Sequence, residues 1–131
     1  MKNIESEIYQ YLKERGWDNL SPGNIAKSIS IEAAELLELF QWTNNNLEET
    51  KKDFQKMEEI KKELADVFIY AFDMAVLLDI NTEEIIKKKL EQVKKKYPAK
   101  LMRKKAKKIP GSGTDLEYLR IKNNYRKKEK S

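Results

Sequence analysis

Residues 31–42 read Ile31-Glu-Ala-Ala-Glu-Leu-Leu-Glu-Leu-Phe-Gln-Trp42, an apolar run in which a glutamate recurs at every third position from residue 32 to residue 38. At about 100° per residue, this spacing sets the glutamates along one slanted ridge of a helix, beside an apolar stripe. Residues 62–70, Lys62-Glu-Leu-Ala-Asp-Val-Phe-Ile-Tyr70, place two more carboxylates one turn apart in a second apolar run. Both runs predict helices that carry acidic groups next to their buried faces.

The composition of the 131-residue chain favours an all-α fold. Hydrophobic residues make up 40% of it and charged residues 37%, while four glycines and three prolines are too few for a turn-rich all-β fold. The sequence has no apolar run of the roughly 18 residues that a transmembrane helix needs, and its start lacks the apolar core of a secretory signal. We therefore expect a cytoplasmic protein with no membrane partner.

The residue types that are missing limit the chemistry. The sequence contains no cysteine and no histidine, which excludes disulfides, thiol nucleophiles, histidine-dependent triads and zinc sites built from thiolates or imidazoles. Oxygen ligands remain for metal binding, and they favour hard cations such as Mg2+ or Mn2+.

The periodicity and the turn signals predict four helices with short connections, the pattern of a four-helix bundle. The first helix stops at Gly16, Asn24 caps the second, and Asn81 caps the fourth. In chain order the predicted helices are 4–15, about 25–42, one that starts between 47 and 53 and ends near 78, and 82–96.

The two ends of the chain differ in charge. Residues 1–93 have 12 basic and 19 acidic side chains, a net charge of −7, whereas residues 94–131 have 15 and 3, a net charge of +12. We assign residues 1–110 to the helical domain and residues 111–131 to a basic, flexible tail with a short helix around 116–120. A basic end can bind nucleic acid, or it can supply cations for phosphates beside a carboxylate site.

Packing of the second helix against the third brings the two acidic groups together. Facing helices lie about 8–10 Å apart, a gap that carboxylates on both sides can span through a hydrated cation. A solvated acidic face is the ordinary explanation for such residues, but residues 28–50 contain no lysine to pair with the first ridge. We therefore predict a divalent-metal site. One path beside the apolar face of the third helix, in steps of four and three, carries Glu59, Glu63, Asp66, Tyr70 and Asp73.

The combined motif resembles the signature of the MazG-like all-α nucleoside triphosphate pyrophosphohydrolases. It consists of Glu32-Ala-Ala-Glu35 followed by Glu63-Leu-Ala-Asp66, and the flanking residues through Trp42, through Tyr70 and at Lys95-Lys-Tyr-Pro98 resemble the dCTP pyrophosphatase branch. The resemblance covers about residues 14–108. It implies hydrolysis of a (deoxy)nucleoside triphosphate, with dCTP or modified pyrimidine deoxynucleotides as substrates, between the α and β phosphates to give the monophosphate and pyrophosphate.

The resemblance also implies roles for individual residues. The expected ligands of Mg2+, or of Mn2+ in its place, are Glu32, Glu35, Glu63 and Asp66. Glu38 is a candidate either to support the metal ligands from outside or to act as the base for the attacking water. Trp17, Trp42 and Tyr70 stand where the branch lines its base pocket, and Asn24 matches a recurrent asparagine of the branch, so these four are expected to bind the substrate. Lys89 and Lys96 are expected to contact the triphosphate through their charge. The chain departs from the branch at Ile8, where relatives carry histidine, and at Val93, where they often carry asparagine.

The family resemblance also implies an oligomer, so we expect a homodimer or a homotetramer. Phe68 and Phe72 agree with that expectation, because they lie opposite the predicted core stripe of the third helix. Two alternatives remain open at this point. A non-catalytic helical module could bind nucleic acid with its basic C-terminal third, although its acidic ridge would repel phosphate without a metal. The second alternative is a helical oligomerisation or toxin–antitoxin-type partner with no catalysis, for which Glu35→Gln is expected to be neutral or stabilising in the absence of metal.

Overall fold

A computed structural model of the chain describes residues 2–105 and 116–130, and within these ranges all regular secondary structure is α-helical. The all-α class predicted from the sequence is confirmed. In the described ranges, no helix is both long enough and apolar enough to cross a membrane. The helices are α1 (Lys2–Glu14), α2 (Pro22–Glu38), α3 (Leu47–Lys52), α4 (Phe54–Leu77), α5 (Thr82–Lys96), α6 (Ala99–Lys105) and α7 (Leu116–Lys130).

The chain divides into two compact units, Met1–Glu83 and Glu84–Ser131. In the first unit, α4 is the central helix: α2 packs along it, and α1 and α3 also contact it. The buried hydrophobic residues of this unit are Leu12, Ile25, Phe72 and Ala75.

The second unit contains most of α5 together with α6 and α7. Here α6 contacts α7, and Ile121 is buried. The rings of Tyr97 and Tyr118 stack with their centroids 4.8 Å apart, so aromatic packing contributes to this small unit.

Gly16 ends α1 close to the predicted position. Its φ of 69° lies in the left-handed region, which costs glycine least among the amino acids. The next residue, Trp17, then turns back so that its backbone N–H donates to the Leu12 carbonyl at 2.8 Å. This turn keeps the Trp17 ring beside Tyr11, in the last turn of α1.

The predicted limits of the second helix are wrong at both ends. Ser21, and not Asn24, is the N-cap of α2: its Oγ accepts from the Asn24 backbone N–H at 3.3 Å, and Pro22 suits the first helical turn that follows. The helix ends at Glu38 instead of Trp42, because the last backbone bonds tighten to i−3 acceptors, such as Phe40 N–H to Leu37 O at 3.0 Å.

The third predicted helix is two helices in the structure. Asp53 has an extended backbone (φ −86°, ψ 97°), and its side chain accepts from the Lys56 backbone N–H at 3.0 Å. A short polar side chain that bonds its own backbone competes with helix continuation in this way. Asp53 therefore ends α3 and caps α4.

The outer face of α4 also differs from the prediction. Phe72 is 9% exposed and belongs to the core, whereas Phe68 is 55% exposed as expected. The reason is that α1 and α2 both pack on α4, so the buried part of this helix is wider than one stripe.

The C-terminal region is more helical than predicted. The short helix expected around residues 116–120 continues to Lys130 in α7, a stretch rich in lysine and arginine, which are good helix formers. The predicted domain boundary at residue 110 lies outside the described residues and stays a prediction. For α5, both the predicted start at residue 82 and the predicted end at residue 96 are confirmed.

Candidate metal centre and the cavity beside it

The packing of α2 on α4 brings three of the predicted metal ligands together. Glu32 comes from α2, and Glu63 and Asp66 come from successive turns of α4. Each of the three offers a carboxylate oxygen, and these oxygens lie within 4.8 Å of one another. All three side chains are half-buried. The group is compact enough for one small ion to contact all three carboxylates.

Two oxygens of this carboxylate group are unsatisfied. Among the residues that the structure describes, Glu32 Oε2 and Glu63 Oε2 are buried and have no hydrogen-bond partner. A buried carboxylate oxygen without a partner is costly, and a cation is the partner that would remove the cost. The donor set contains oxygen atoms alone, which suits Mg2+ or Mn2+.

Glu35 lies beside this group on the exposed side of α2. A hydrogen bond with the Glu32 side chain and the negative charge of Glu32 raise the pKa of Glu35 above its ordinary value. Burial raises the pKa of Glu63, and the charge of Glu35 adds to that effect. The neighbouring negative charges therefore disfavour ionisation of Glu35 and Glu63, as expected where carboxylates converge.

Glu38, the predicted base, is exposed on the last turn of α2. Its negative charge makes a small contribution to the raised pKa of Glu35. It lies outside the group of three carboxylates that approach one another within 4.8 Å, so its role stays a prediction.

A cavity of about 390 Å3 contains Asp66 in its lining and so adjoins the carboxylate group. Trp17 and Tyr70, both predicted to hold the base, line the same cavity. The Trp17 ring packs edge-on against Tyr11, with the centroids 5.8 Å apart and the planes at 73°. Arg15 in turn lies over the Tyr11 ring at 4.4 Å. These contacts hold an aromatic wall next to one of the candidate metal ligands.

Asp73 also lines this cavity, and no functional role was predicted for it from the sequence. It is 3% exposed, and within the described part of the chain its Oδ1 has no hydrogen-bond partner. Burial raises the pKa of Asp73 to about 6. The spacing could have indicated a role for Asp73, because a residue seven positions after Asp66 lies on the same face of the helix, two turns further along.

Four other predicted substrate-binding residues are not in this cavity. Asn24 is exposed on the first turn of α2, and Trp42 lies in the loop after α2 with 86% of its surface exposed. Lys89 and Lys96 belong to the second unit, where they line a cavity of about 600 Å3 with Lys122, Arg126 and three tyrosines. The Lys96 ammonium lies 4.8 Å from the centroid of the Tyr125 ring. The roles of all four in substrate binding stay predictions.

Comparison with known proteins gives consistent matches. Residues 27–116 match the MazG-like family. The chain is 28% identical to human dCTP pyrophosphatase 1 over 111 residues, which cover 82% of this chain and 65% of the human protein. It is also 28% identical to the bovine dCTP pyrophosphatase 1 over 121 residues, 90% of this chain and 69% of that protein. The matched region thus spans just under two thirds of the length of the human relative.

A solved structure is also similar. The crystal structure of a pyrophosphatase from Archaeoglobus fulgidus matches the fold with a TM-score of 0.66 and 39% sequence identity, over 75% of this chain and 92% of that one. The matching family region includes all four acidic residues of the predicted metal site.

Proposed function

This chain belongs to the MazG-like family, and from that premise we propose that it is a nucleoside triphosphate pyrophosphohydrolase. The substrate class that we propose is the pyrimidine deoxynucleoside triphosphates, with dCTP first, because two relatives are named dCTP pyrophosphatase. Hydrolysis between the α and β phosphates would give the monophosphate and pyrophosphate. The observation that carries the proposal is the convergence of Glu32, Glu63 and Asp66. Two of their buried oxygens have no hydrogen-bond partner in the part of the chain that the structure describes.

The proposed metal site consists of these three residues with Glu35 as the fourth ligand. Mg2+ is the proposed cofactor, and Mn2+ can replace it. When bound, such a cation neutralises charge on the phosphate oxygens. Glu35 sits at the exposed edge of the group, on the side from which a phosphate chain can approach.

The proposed base site is the cavity beside the carboxylate group. Trp17 and Tyr70 present aromatic surface there, and stacking of a base on an aromatic ring typically contributes about 1–3 kcal/mol. Glu38 is the proposed acceptor of the proton from the attacking water, because an exposed carboxylate near the group can exchange that proton with solvent.

We also propose that the protein is a homodimer or a larger homo-oligomer. The first unit leaves large apolar side chains exposed along α2 and α4, including Leu37, Phe54 and Phe68. Exposed apolar surface of this extent is typical of a subunit interface. Light scattering coupled to size-exclusion chromatography tests this, and a monomer at micromolar concentration would contradict it.

The activity test uses canonical and modified nucleoside triphosphates, with and without Mg2+, and measures the release of pyrophosphate. We expect metal-dependent release from dCTP and a loss of about 100-fold or more in kcat for Glu63→Gln, because one metal ligand is removed. Glu59→Gln is the matched control: Glu59 lies one turn earlier on α4, where it accepts a hydrogen bond from exposed Gln55 at 3.2 Å. If no nucleotide releases pyrophosphate, or if both variants behave alike, the proposed function is wrong.

A further inference from the structure

Asp73 places a buried carboxylate in the wall of the cavity that also contains Asp66. The side chain is 3% exposed, and its Oδ1 has no hydrogen-bond partner among the described residues. The proposed metal site leaves Asp73 unused, since the group of carboxylates that could share an ion is Glu32, Glu63 and Asp66. A buried carboxylate oxygen without a partner is destabilising, so its presence in a cavity wall points to a ligand that supplies the missing donor.

The rest of the wall indicates the kind of ligand. Leu12, Leu20 and Ile69 are apolar, and Trp17 adds a flat aromatic surface. Besides the two aspartates, the polar groups in the lining are three hydroxyls and the indole N–H of Trp17. An apolar and aromatic pocket with a few polar groups is typical of small-molecule sites, and about 390 Å3 falls in their size range of roughly 300–1,000 Å3. The cavity therefore fits a flat, mainly apolar ring that bears a hydrogen-bond donor.

The spacing along α4 gives the orientation of that ring. Asp66 and Asp73 lie on the same face of the helix, two turns or about 10 Å apart along its axis. Tyr70 lies one turn from Asp66 and also lines the cavity. A nucleotide whose phosphates lie at the Asp66 end would have its base beside Trp17 and Tyr70, with the edge of the base toward Asp73.

Resting on the function proposed above, we propose that Asp73 is a specificity-determining residue that binds the exocyclic amino group of the base. A carboxylate accepts hydrogen bonds and donates none. Cytosine offers an N4 amino group, whereas uracil and thymine have the O4 carbonyl oxygen at that place. An oxygen facing the Asp73 carboxylate would leave both groups unsatisfied. The site would therefore select amino-bearing pyrimidines against their keto analogues.

The experiment compares deoxycytidine with deoxyuridine, two nucleosides that lack phosphate and need no metal. Their affinities are measured by calorimetry at pH 8, where the Asp73 carboxyl is ionised. For the unmodified protein we expect deoxycytidine to bind at least about tenfold more tightly. In Asp73→Asn this preference should fall to about twofold or less, since an amide both donates and accepts. Equal binding of the two nucleosides by the unmodified protein, or an unchanged preference in the variant, would overturn the inference.

The matched control is Asp79→Asn, which removes the same charge outside the cavity. Asp79 is exposed just after α4 at φ 56°, a conformation that asparagine also adopts readily. The preference of this variant for deoxycytidine over deoxyuridine should equal that of the unmodified protein. Asp73→Ser provides the comparison if the amide variant does not fold, with the same expected loss of preference.

Hydrolysis of dCTP and dUTP by the same proteins separates the two proposals. If pyrophosphate is released but the preference for dCTP over dUTP is the same with and without the Asp73 carboxylate, this inference is overturned and the proposed function stands. A base preference that depends on Asp73, without release of pyrophosphate from any triphosphate, supports the inference and overturns the proposed function.

Discussion

At the scale of single residues, Asp73 gives a stability prediction with a definite sign. Burial raises its pKa from 3.8 to about 6, so between these values the folded state binds protons more tightly than the unfolded state. The contribution of Asp73 therefore destabilises the protein above pH 6, by up to about 3 kcal/mol, and this cost disappears as the pH falls toward 4.

Asp73→Asn should accordingly raise the free energy of unfolding at pH 8, and the gain should shrink at pH 5. Urea unfolding of the unmodified protein and the variant at both pH values measures this difference. Asp79→Asn serves as the control, since Asp79 is exposed. A variant that is less stable than the unmodified protein at pH 8 would show that the Asp73 carboxylate has a stabilising partner.

The carboxylate group gives a second residue-scale prediction, for the metal-free protein. Glu32 raises the pKa of Glu35, and burial together with the negative charge of Glu35 raises the pKa of Glu63. The ionised group therefore repels itself at neutral pH. Glu35→Gln should therefore raise the melting temperature in the presence of a chelator, and lowering the pH should reduce the gain. Glu48→Gln, at an exposed residue paired with Lys51 at 3.4 Å, should give no such gain. Equal melting temperatures for all three proteins would contradict the repulsion.

At the scale of helices, one lysine ties the end of α2 to the start of α4. Lys56 Nζ donates to the Leu39 carbonyl at 2.6 Å in a partly buried contact. A positive charge at a helix C-terminus satisfies an unpaired carbonyl and interacts favourably with the helix dipole. Glu38 is the residue just before Leu39, so this contact also supports the turn of the candidate base.

Lys56→Met should therefore destabilise the protein by about 1 kcal/mol and increase amide hydrogen exchange in the last turn of α2. Lys61→Met is the matched control on the same helix, because Lys61 makes only an exposed i,i+3 pair with Glu58 at 3.0 Å and such pairs contribute little. Unchanged exchange at Leu36 to Leu39 in the Lys56 variant would remove this lysine from the support of the site.

The helix limits that the sequence predicted correctly are those with strong capping or stop residues. Gly16 and the run from Thr82 to Lys96 carry strong local signals, and the helix limits there agree with the structure. The caps at Ser21 and Asp53 were not predicted, because several polar residues near each helix start could serve as the cap and only the hydrogen bonds show which one does.

The candidate site shows a similar division. The acidic ridge and the approach of Glu32 to Glu63 and Asp66 could be predicted from periodicity, because residues that share one face of a helix in the sequence pattern also share it in the folded protein. The burial of Phe72 and Asp73 does not, because it depends on two helices packing on α4 at once. Trp42 differs in the opposite way from Phe72 and Asp73, because it is more exposed than its sequence position indicated. It follows the acidic ridge and was predicted to bind the base, but α2 ends early and leaves Trp42 in an exposed loop.

At the scale of the whole molecule, metal binding should be linked to folding. The unsatisfied oxygens of Glu32 and Glu63 come together only when α2 packs on α4, so the unfolded chain has no comparable site. A ligand that binds the folded state alone stabilises it by mass action. Millimolar Mn2+ or Mg2+ should thus raise the melting temperature of the unmodified protein by several degrees, whereas Glu63→Gln should lose most of this increase. Glu59→Gln should keep it. Since this measurement needs no nucleotide, an equal increase for all three proteins would place the bound ion elsewhere, even if pyrophosphate release were intact.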